Sequence, residues 1–391
     1  MKTYVISLAL LPLAALAAPT RWVTVDTQIL QKAAPQKTMK ALDQANGVTL
    51  LRLTEAEIED LSDSIHHDLH RCGGYVGHDS EAEAREALAP RGDTQFAVKA
   101  LFADYAINQR STVSGMVAQV QAPKIQQTIE TLAAFNNRYY KADTGVQSST
   151  KIRDMWQAIA AGRSDVKVEL YQHSGWPQPS VILTIQGSSR ADEIVVLGGH
   201  ADSIAGGFIR NRARAPGADD NASGIATLTE TLRVAIANNF KPARTVQFMA
   251  YAAEEVGLLG SKEIANAYKN QGKQVVGKVQ LDMTLRKGTA TQDIVMMSDF
   301  TNSAQNEFLG KLIDEYVKVP WGYSRCGYGC SDHASWTNAG FPASMPFEST
   351  MGDINRKIHT QDDTLANAGG NADHAAKFAK LAIAYMVELA N

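Results

Sequence analysis

Two adjacent glutamates, Glu254 and Glu255, follow an apolar stretch at residues 245–253 whose sequence, TVQFMAYAA, is typical of a buried strand. Like charges repel each other, and burying either carboxylate without a partner costs several kcal/mol. A pair of such groups at the end of a buried strand therefore needs a nearby positive charge.

Other acids and histidines occupy similar places in the chain. They directly follow predicted strands or lie in nearby turns and loops: His200, Asp202, Asp219, Asp220, Asp282 and His359. Two histidines and three carboxylates, one of them bridging, suit a pair of zinc ions ~3.5–4 Å apart. One of the adjacent glutamates would then bind metal while the other faces the attacking water, so each carboxylate has a positive partner.

Alternating strands and helices must position these side chains. Residues 166–172 and 180–187 read as a hairpin, and further strands are predicted at 193–199, 245–253, 278–283, 293–299 and 343–348. Helical patterns fill the intervening segments, which predicts an α/β fold with a mostly parallel sheet and helices on both faces. In such sheets ligands gather at the carboxyl ends of the strands, where the acids and histidines fall.

The first residues have the pattern of an export signal. Lys2 is followed by an apolar stretch over 5–16 and by the A-x-A pattern of residues 15–17, which predicts a signal peptide at 1–17 and a secreted protein, extracellular or periplasmic. A membrane anchor is the alternative, but this stretch is too short to span a bilayer, and no later segment reaches ~18 uncharged apolar residues.

The remaining chain divides into two predicted parts. Residues 18–104 differ in composition from the rest, with a helix predicted from a capping box at Thr54 and Glu57, and they read as a prosegment; an independent binding domain is the alternative. Residues 105–391 form the predicted catalytic domain. The net charge of −3 gives no indication of a nucleic-acid partner.

Three cysteines are informative in an exported protein. Cys326 and Cys330 lie in CGYGC, whose glycines let the chain fold back, and we predict a disulfide between them. Cys72 is left over, in a stretch that also carries His66, His67, His70 and His78. We hypothesise that Cys72 or a neighbouring histidine caps a zinc ion until the prosegment is removed; a polar helix end followed by a glycine turn is the simpler interpretation.

Six motifs carry a resemblance to a known family. GGHADS, PGADDNASG, AYAAEEVGLLGS, LDM, CGYGCSDHASW and IHTQDDTLAN occur in order between residue 105 and the C-terminus, and they resemble the secreted di-zinc aminopeptidases of the bacterial leucyl aminopeptidase family. The resemblance implies a zinc-exopeptidase fold, with a central twisted sheet between helices, and two zinc ions per chain.

The resemblance also implies residue roles. His200 and Asp282 would hold one zinc ion, Glu255 and His359 the other, and Asp220 would bridge them.

Further roles follow from the same resemblance. Glu254 would be the general base toward the water shared by the two ions, and Asp202 would bond the far nitrogen of His200. A non-proline cis peptide is expected between Asp220 and Asn221, where relatives carry a third acid in place of the asparagine.

Substrates would be peptides with a free N-terminus, whose amino group binds one zinc ion. Residues near the motifs suggest a pocket for leucine-like side chains, although each could equally be ordinary core: Met283, Tyr328, Met345, Phe347 and Ile358. The protein is expected to be a monomer that also binds its own prosegment. Three competitors remain: a carboxypeptidase, which needs a basic residue for the substrate's carboxylate, a one-zinc glutaminyl cyclase, and a non-catalytic binding module, which should have lost ligands.

Overall fold

The computed structural model describes residues 20–33, 39–69, 71, 74–89, 102, 105–206 and 210–391. The predicted signal peptide at 1–17 and Cys72 lie outside these residues. Among the residues described, no helix is long and apolar enough to cross a membrane.

The N-terminal unit combines a small antiparallel sheet with short helices. Its elements are β1 (Thr20–Asp26), α1 (Thr27–Ala33), β2 (Ala41–Ala45), β3 (Val48–Thr54), α2 (Glu55–Asp63), a π-helical segment (Ser64–Asp68), β4 (Tyr75–His78) and α3 (Glu81–Glu86). The strand order is β2-β3-β1-β4. The predicted capping box is confirmed: Thr54 Oγ1 accepts from Glu57 N at 3.3 Å, and Glu57 Oε2 accepts from Thr54 N at 2.7 Å. It starts α2 at the expected residue.

The second part begins with helices and continues as alternating strands and helices. Its first elements are α4 (Arg110–Val117), α5 (Ala122–Ala133), α6 (Asp143–Ile159), β5 (Val166–Tyr171), β6 (Ser180–Ile185), β7 (Arg190–His200), a π-helical turn (Ala218–Ser223), α7 (Gly224–Ala237) and β8 (Arg244–Tyr251). The chain then forms α8 (Leu259–Asn270), β9 (Gln274–Gln280), β10 (Ile294–Met297), α9 (Ser303–Leu312), a π-helical segment (Ile313–Val317), β11 (Trp321–Ser324), α10 (His333–Asn338), β12 (Ala343–Ser344), β13 (Pro346–Phe347) and α11 (Ala375–Ala390).

A central mixed sheet organises this part. Its described strands run in the order β12-β9-β7-β8-β6-β5, parallel from β12 to β8 and antiparallel at β6 and β5. Side chains alternate between its faces: Val195 and Leu197 of β7 lie in the apolar cluster that includes α7 and α11, whereas Val196 lies in the cluster with α8 and α10. The predicted α/β fold class, with helices on both faces of the sheet, is confirmed.

The strand predicted at 343–348 is divided between two sheets. Ala343–Ser344 joins the central sheet beside β9, while Pro346–Phe347 pairs with β10 in a small sheet of order β11-β10-β13. Pro346 has no N–H to donate, which limits the hydrogen bonds that a continuous strand could make there. The strand predicted at 293–299 corresponds to β10, so it also belongs to the small sheet and not to the central one.

Candidate metal centre

The carboxyl ends of three adjacent parallel strands carry four of the predicted site residues. His200 is the last residue of β7, Glu254 and Glu255 follow β8, and Asp282 follows β9. Because β8 and β9 both pair with β7 in parallel, these ends meet at one edge of the sheet. The four residues therefore lie at the carboxyl edge of the sheet, where ligands of such sheets usually bind.

Asp220 lies between two histidines. Its Oδ1 is 2.9 Å from His200 Nε2, and its Oδ2 is 2.9 Å from His359 Nε2. Asp282 Oδ1 is 3.4 Å from His200 Nε2, and Glu255 Oε2 is 3.1 Å from His359 Nε2. The structure thus brings all five predicted ligands together, and every one of them is buried.

The electrostatics of this cluster fit bound cations. Both carboxylate oxygens of Glu254 are buried and accept no hydrogen bond from the described residues. Burial raises the pKa of the Glu254 carboxyl well above its usual range, and it raises the pKa of Glu255 to about 7. Burial alone would lower the pKa of His359, but the charges of Glu255 and Asp220 raise it to about 10. Imidazole and carboxylate donors in this number suit zinc.

Asp202 contacts both His200 and the two adjacent glutamates. Its Oδ1 lies 3.4 Å from His200 Nδ1, the ring nitrogen on the far side from Asp220. The same carboxylate accepts backbone hydrogen bonds from Glu254 N at 3.1 Å and from Glu255 N at 3.2 Å. Asp202 therefore contacts the far nitrogen of His200, the contact that the resemblance implied, and it also orients the backbone of both glutamates.

The turn that carries Asp220 is fixed from several sides. The peptide bond between Asp220 and Asn221 is cis, as the resemblance implied. Asn221 Nδ2 donates to Leu281 O at 3.0 Å, and its Oδ1 accepts from Gly224 N at 2.9 Å and from Met283 N at 3.2 Å. The asparagine therefore joins this turn to the segment that carries Asp282.

The predicted disulfide is present, and the residue that follows it bonds a proposed metal ligand. Cys326 and Cys330 are bonded, and the following residue, Ser331, donates from Oγ to Asp282 Oδ2 at 2.6 Å. Gln280 Nε2 in turn donates to Ser331 Oγ at 3.0 Å. The disulfide loop therefore precedes a serine that orients a proposed ligand.

Two buried residues at the site were missed in the sequence. Asp363 accepts backbone hydrogen bonds from Asp219 N at 3.1 Å and from Asp220 N at 3.0 Å. Arg138 donates to the carbonyls of Ala201 and Gly217, each at 2.9 Å, and burial lowers its pKa to about 10. The acidic pair after His359 was a usable signal for Asp363, whereas no motif surrounds Arg138.

The suggested pocket residues share one apolar cluster with the N-terminal unit. Met283, Tyr328, Met345, Phe347 and Ile358 are all buried in it. The N-terminal unit contributes, among others, Val23, Val25, Leu51, Leu53, Ile65 and Tyr75. The N-terminal unit therefore covers the region in which the sequence suggested a substrate pocket.

A histidine from the N-terminal unit reaches the ligands. The rings of His66 and His359 have their centroids 4.0 Å apart. One potential ligand atom each of His66, Glu255 and His359 lies within 4.8 Å of the others, as is also true of His200, Asp220 and Glu255. The sequence had singled out His66 only as one of several histidines near Cys72.

Comparisons with known proteins bear on the family and the fold. The model of peptidase family M28 matches residues 180–386. Leucine aminopeptidase 1 of Arthroderma gypseum is 39% identical over 298 residues, which cover 73% of this chain and 78% of that protein. The LapA aminopeptidase of Legionella pneumophila superposes with a TM-score of 0.81 at 29% identity, over 96% of this chain and 99% of that one. LapB of the same organism gives 0.79 at 29% identity, over 95% and 100%.

The fold, the buried histidine–carboxylate cluster and these similarities define a metallo-aminopeptidase, a hydrolase of peptide bonds. Zinc is consistent with this class and with the donors at the site. The chain belongs to peptidase family M28. The family resemblance inferred from the six motifs is thereby confirmed.

Proposed function

We propose that this protein is a secreted aminopeptidase that binds two zinc ions per chain and removes leucine-like residues from the N-termini of peptides. The observation that carries this proposal is the bridging position of Asp220. Its two oxygens each lie 2.9 Å from a different histidine, His200 or His359. A carboxylate flanked in this way suits a pair of ions ~3.5–4 Å apart.

The five buried residues around Asp220 would hold the metal. His200 and Asp282 would bind one ion, and Glu255 and His359 would bind the other, with Asp220 shared. Bound zinc supplies Lewis acidity, which polarises a scissile carbonyl and acidifies water. Asp202 supports this arrangement because it contacts the far nitrogen of His200, which orients the ring.

Glu254 is the proposed general base. Its backbone N is fixed by Asp202, and its two carboxylate oxygens are left without protein donors among the described residues. Burial raises its pKa, which suits a carboxylate that must exchange protons near neutral pH. Glu254 would take a proton from the attacking water and deliver it to the leaving amine.

The preference for hydrophobic first residues rests on the apolar cluster beside the ligands. Met283 and Ile358 adjoin Asp282 and His359 in sequence and are buried in that cluster. Once uncovered, an apolar surface of this kind would favour leucine-like side chains through burial, at ~25 cal/mol per Å².

The proposed organisation assigns residues 1–17 to a signal peptide, 18–104 to a prosegment and 105–391 to a monomeric catalytic domain. Secretion rests on the export pattern of the first residues. The prosegment role is supported by the apolar cluster that the N-terminal unit shares with the suggested pocket.

The decisive experiment combines metal analysis with a substrate assay on protein from which the N-terminal unit has been removed. We expect about two zinc ions per chain and release of p-nitroaniline from leucine p-nitroanilide. Glu254→Ala should retain its zinc and lose activity by a factor of at least ~10². Glu169→Ala serves as the control, because Glu169 is exposed on the edge strand β5, where it pairs with Lys167.

Other outcomes would overturn the proposal in distinguishable ways. One zinc ion with cyclisation of N-terminal glutamine would indicate a glutaminyl cyclase. Cleavage of free-acid peptides but not of peptide amides would indicate a carboxypeptidase. Full activity in Glu254→Ala would remove the proposed base.

A further inference from the structure

The helix that leads to His66 is fastened to the catalytic part at both ends. Near its start, the hydroxyl of Tyr140 donates to Glu55 Oε1 at 3.3 Å. Near its end, Arg210 donates to Asp63 Oδ1 at 2.6 Å and to the carbonyl of Glu59 at 2.7 Å. Arg210 is itself buried, whereas Asp63 is partly exposed. The position of α2 over the metal centre is therefore well determined.

His66 lies at the point where this helix meets the ligands. Its side chain is buried, and its ring contacts the ring of His359 at an interplanar angle of 33°. Its Nδ1 lies 3.4 Å from Ser62 Oγ, one helical turn earlier. Histidines that bind metal usually have the other ring nitrogen held by a hydrogen bond. With Nδ1 held by Ser62, we assign Nε2 as the atom that would bind a metal.

We propose that His66 is a further ligand of the metal ion that Glu255 and His359 hold, an inference that rests on the proposed function. The neutral imidazole nitrogen is a common zinc ligand, and the potential ligand atoms of these three residues lie within 4.8 Å of one another. Catalytic zinc sites keep one position open for water or substrate. Occupation of that position by His66 keeps the uncleaved chain inactive.

The neighbouring residue supports this role. Ile65 is fully buried and belongs to the same apolar cluster as the five suggested pocket residues. The N-terminal unit thus brings an apolar side chain and a nitrogen donor to the region proposed to receive the first residue of a substrate. This pairing supports the histidine form of the latency hypothesis; Cys72 lies outside the described residues.

The test uses the full chain without its signal peptide, loaded with Co²⁺ in place of zinc, because the visible absorption of cobalt reports its ligands. The variants are His66→Ala and His66→Gln, so that one remains if the other does not fold. The matched control is His78→Ala. His78 is a buried histidine of the same unit that bonds Thr24 Oγ1 at 2.8 Å and belongs to neither candidate metal group among the described residues.

We expect both His66 variants to bind two cobalt ions with an altered visible spectrum, and to release metal to a chelator at least ~10-fold faster than the unmodified chain. His78→Ala should match the unmodified chain. Removal of the N-terminal unit also removes residue 66, so the His66 variants and the unmodified protein should then give the same spectrum. This spectrum is the reference for a site without His66.

The contrary results separate the two proposals. If the His66 variants bind two cobalt ions with unchanged spectra and unchanged release rates, His66 is not a ligand, and the proposed function is unaffected. If none of the proteins binds cobalt, the proposed function fails, and the role of His66 fails with it.

Discussion

A hydroxyl group from a distant loop holds one of the proposed zinc ligands. Ser331 follows the disulfide loop and donates to Asp282 Oδ2 at 2.6 Å, while the other oxygen, Oδ1, faces His200 at 3.4 Å. A hydrogen bond of this kind selects the carboxylate oxygen that is left for the metal and limits rotation of the side chain. If Asp282 binds zinc as proposed, Ser331 would be a positioning residue.

The role of Ser331 gives a prediction at the residue scale. Ser331→Ala should weaken zinc binding by ~10–100-fold, because Asp282 loses the donor that orients it. The zinc affinity is measured by competition with a chelating indicator. The control is Ser298→Ala, which removes an exposed hydroxyl that donates to the carbonyl of Ser324. Equal affinities in the two variants would contradict the positioning role.

The residues at the site differ in how far the sequence could predict them. His200, Glu255 and Asp282 could be predicted because a polar side chain at the end of an apolar strand is conspicuous. Arg138 and Ser331 could not. Arg138 reaches the site through the carbonyls of Ala201 and Gly217, 63 and 79 positions away, and Ser331 bonds Asp282, 49 positions away. Contacts of that range depend on the fold and leave no local pattern.

The helix α11 begins beside a buried histidine and a group of charged side chains. Its first turn begins at His374, which is buried, and Lys377 in the same turn donates to Asp293 at 2.5 Å. Lys287 also approaches Asp293, at 3.1 Å. Burial lowers the pKa of His374 to about 4, and the charge of Lys377 acts in the same direction. His374 is therefore neutral in the folded protein at neutral pH.

This depressed pKa predicts a pH dependence of stability. The unfolded chain binds a proton at this histidine below about pH 6.5, whereas the folded chain does not until about pH 4. The contribution of neutral His374 to the free energy of unfolding is therefore complete above pH 6.5 and is lost as the pH falls toward 4. Between pH 7.5 and pH 5, the free energy of unfolding of His374→Gln should fall by about 2 kcal/mol less than that of the unmodified protein. Parallel curves from urea unfolding would exclude this role.

Elements with strong periodicity were predicted well, and short strands were not. The helix predicted at 259–271 is found as Leu259–Asn270. The strand predicted at 278–283 ends at Gln280, so Asp282 lies just beyond it. The division of 343–348 could not be foreseen, because two-residue strands are defined by their partners in the sheet, and their own side chains carry little signal.

At the scale of the whole molecule, the metal centre concentrates buried charge between two structural units. Glu254, Glu255, Asp220 and Asp282 are all buried within one small volume, and His66 comes from the unit that covers them. Removing charged groups from water is costly unless a partner of opposite charge compensates for it. Bound cations would therefore contribute to the stability of the fold as well as to catalysis.

Metal removal should consequently destabilise the folded protein. A ligand that binds only the folded state at a thousand times its dissociation constant adds about 4 kcal/mol for each site. We expect treatment with a chelator to lower the midpoint of thermal unfolding by several degrees, and added zinc to restore it. His359→Ala, which lacks one proposed ligand, should show a smaller shift. An unchanged midpoint in the unmodified protein would contradict this expectation.

The proposed ligands are spread along the chain from His200 to His359, although they meet within a few ångströms. A ribosome must therefore complete most of the polypeptide before a full set of ligands exists. A chain whose synthesis stops before residue 359 lacks the second histidine. Under this proposal, incomplete chains cannot trim the N-termini of neighbouring proteins inside the cell.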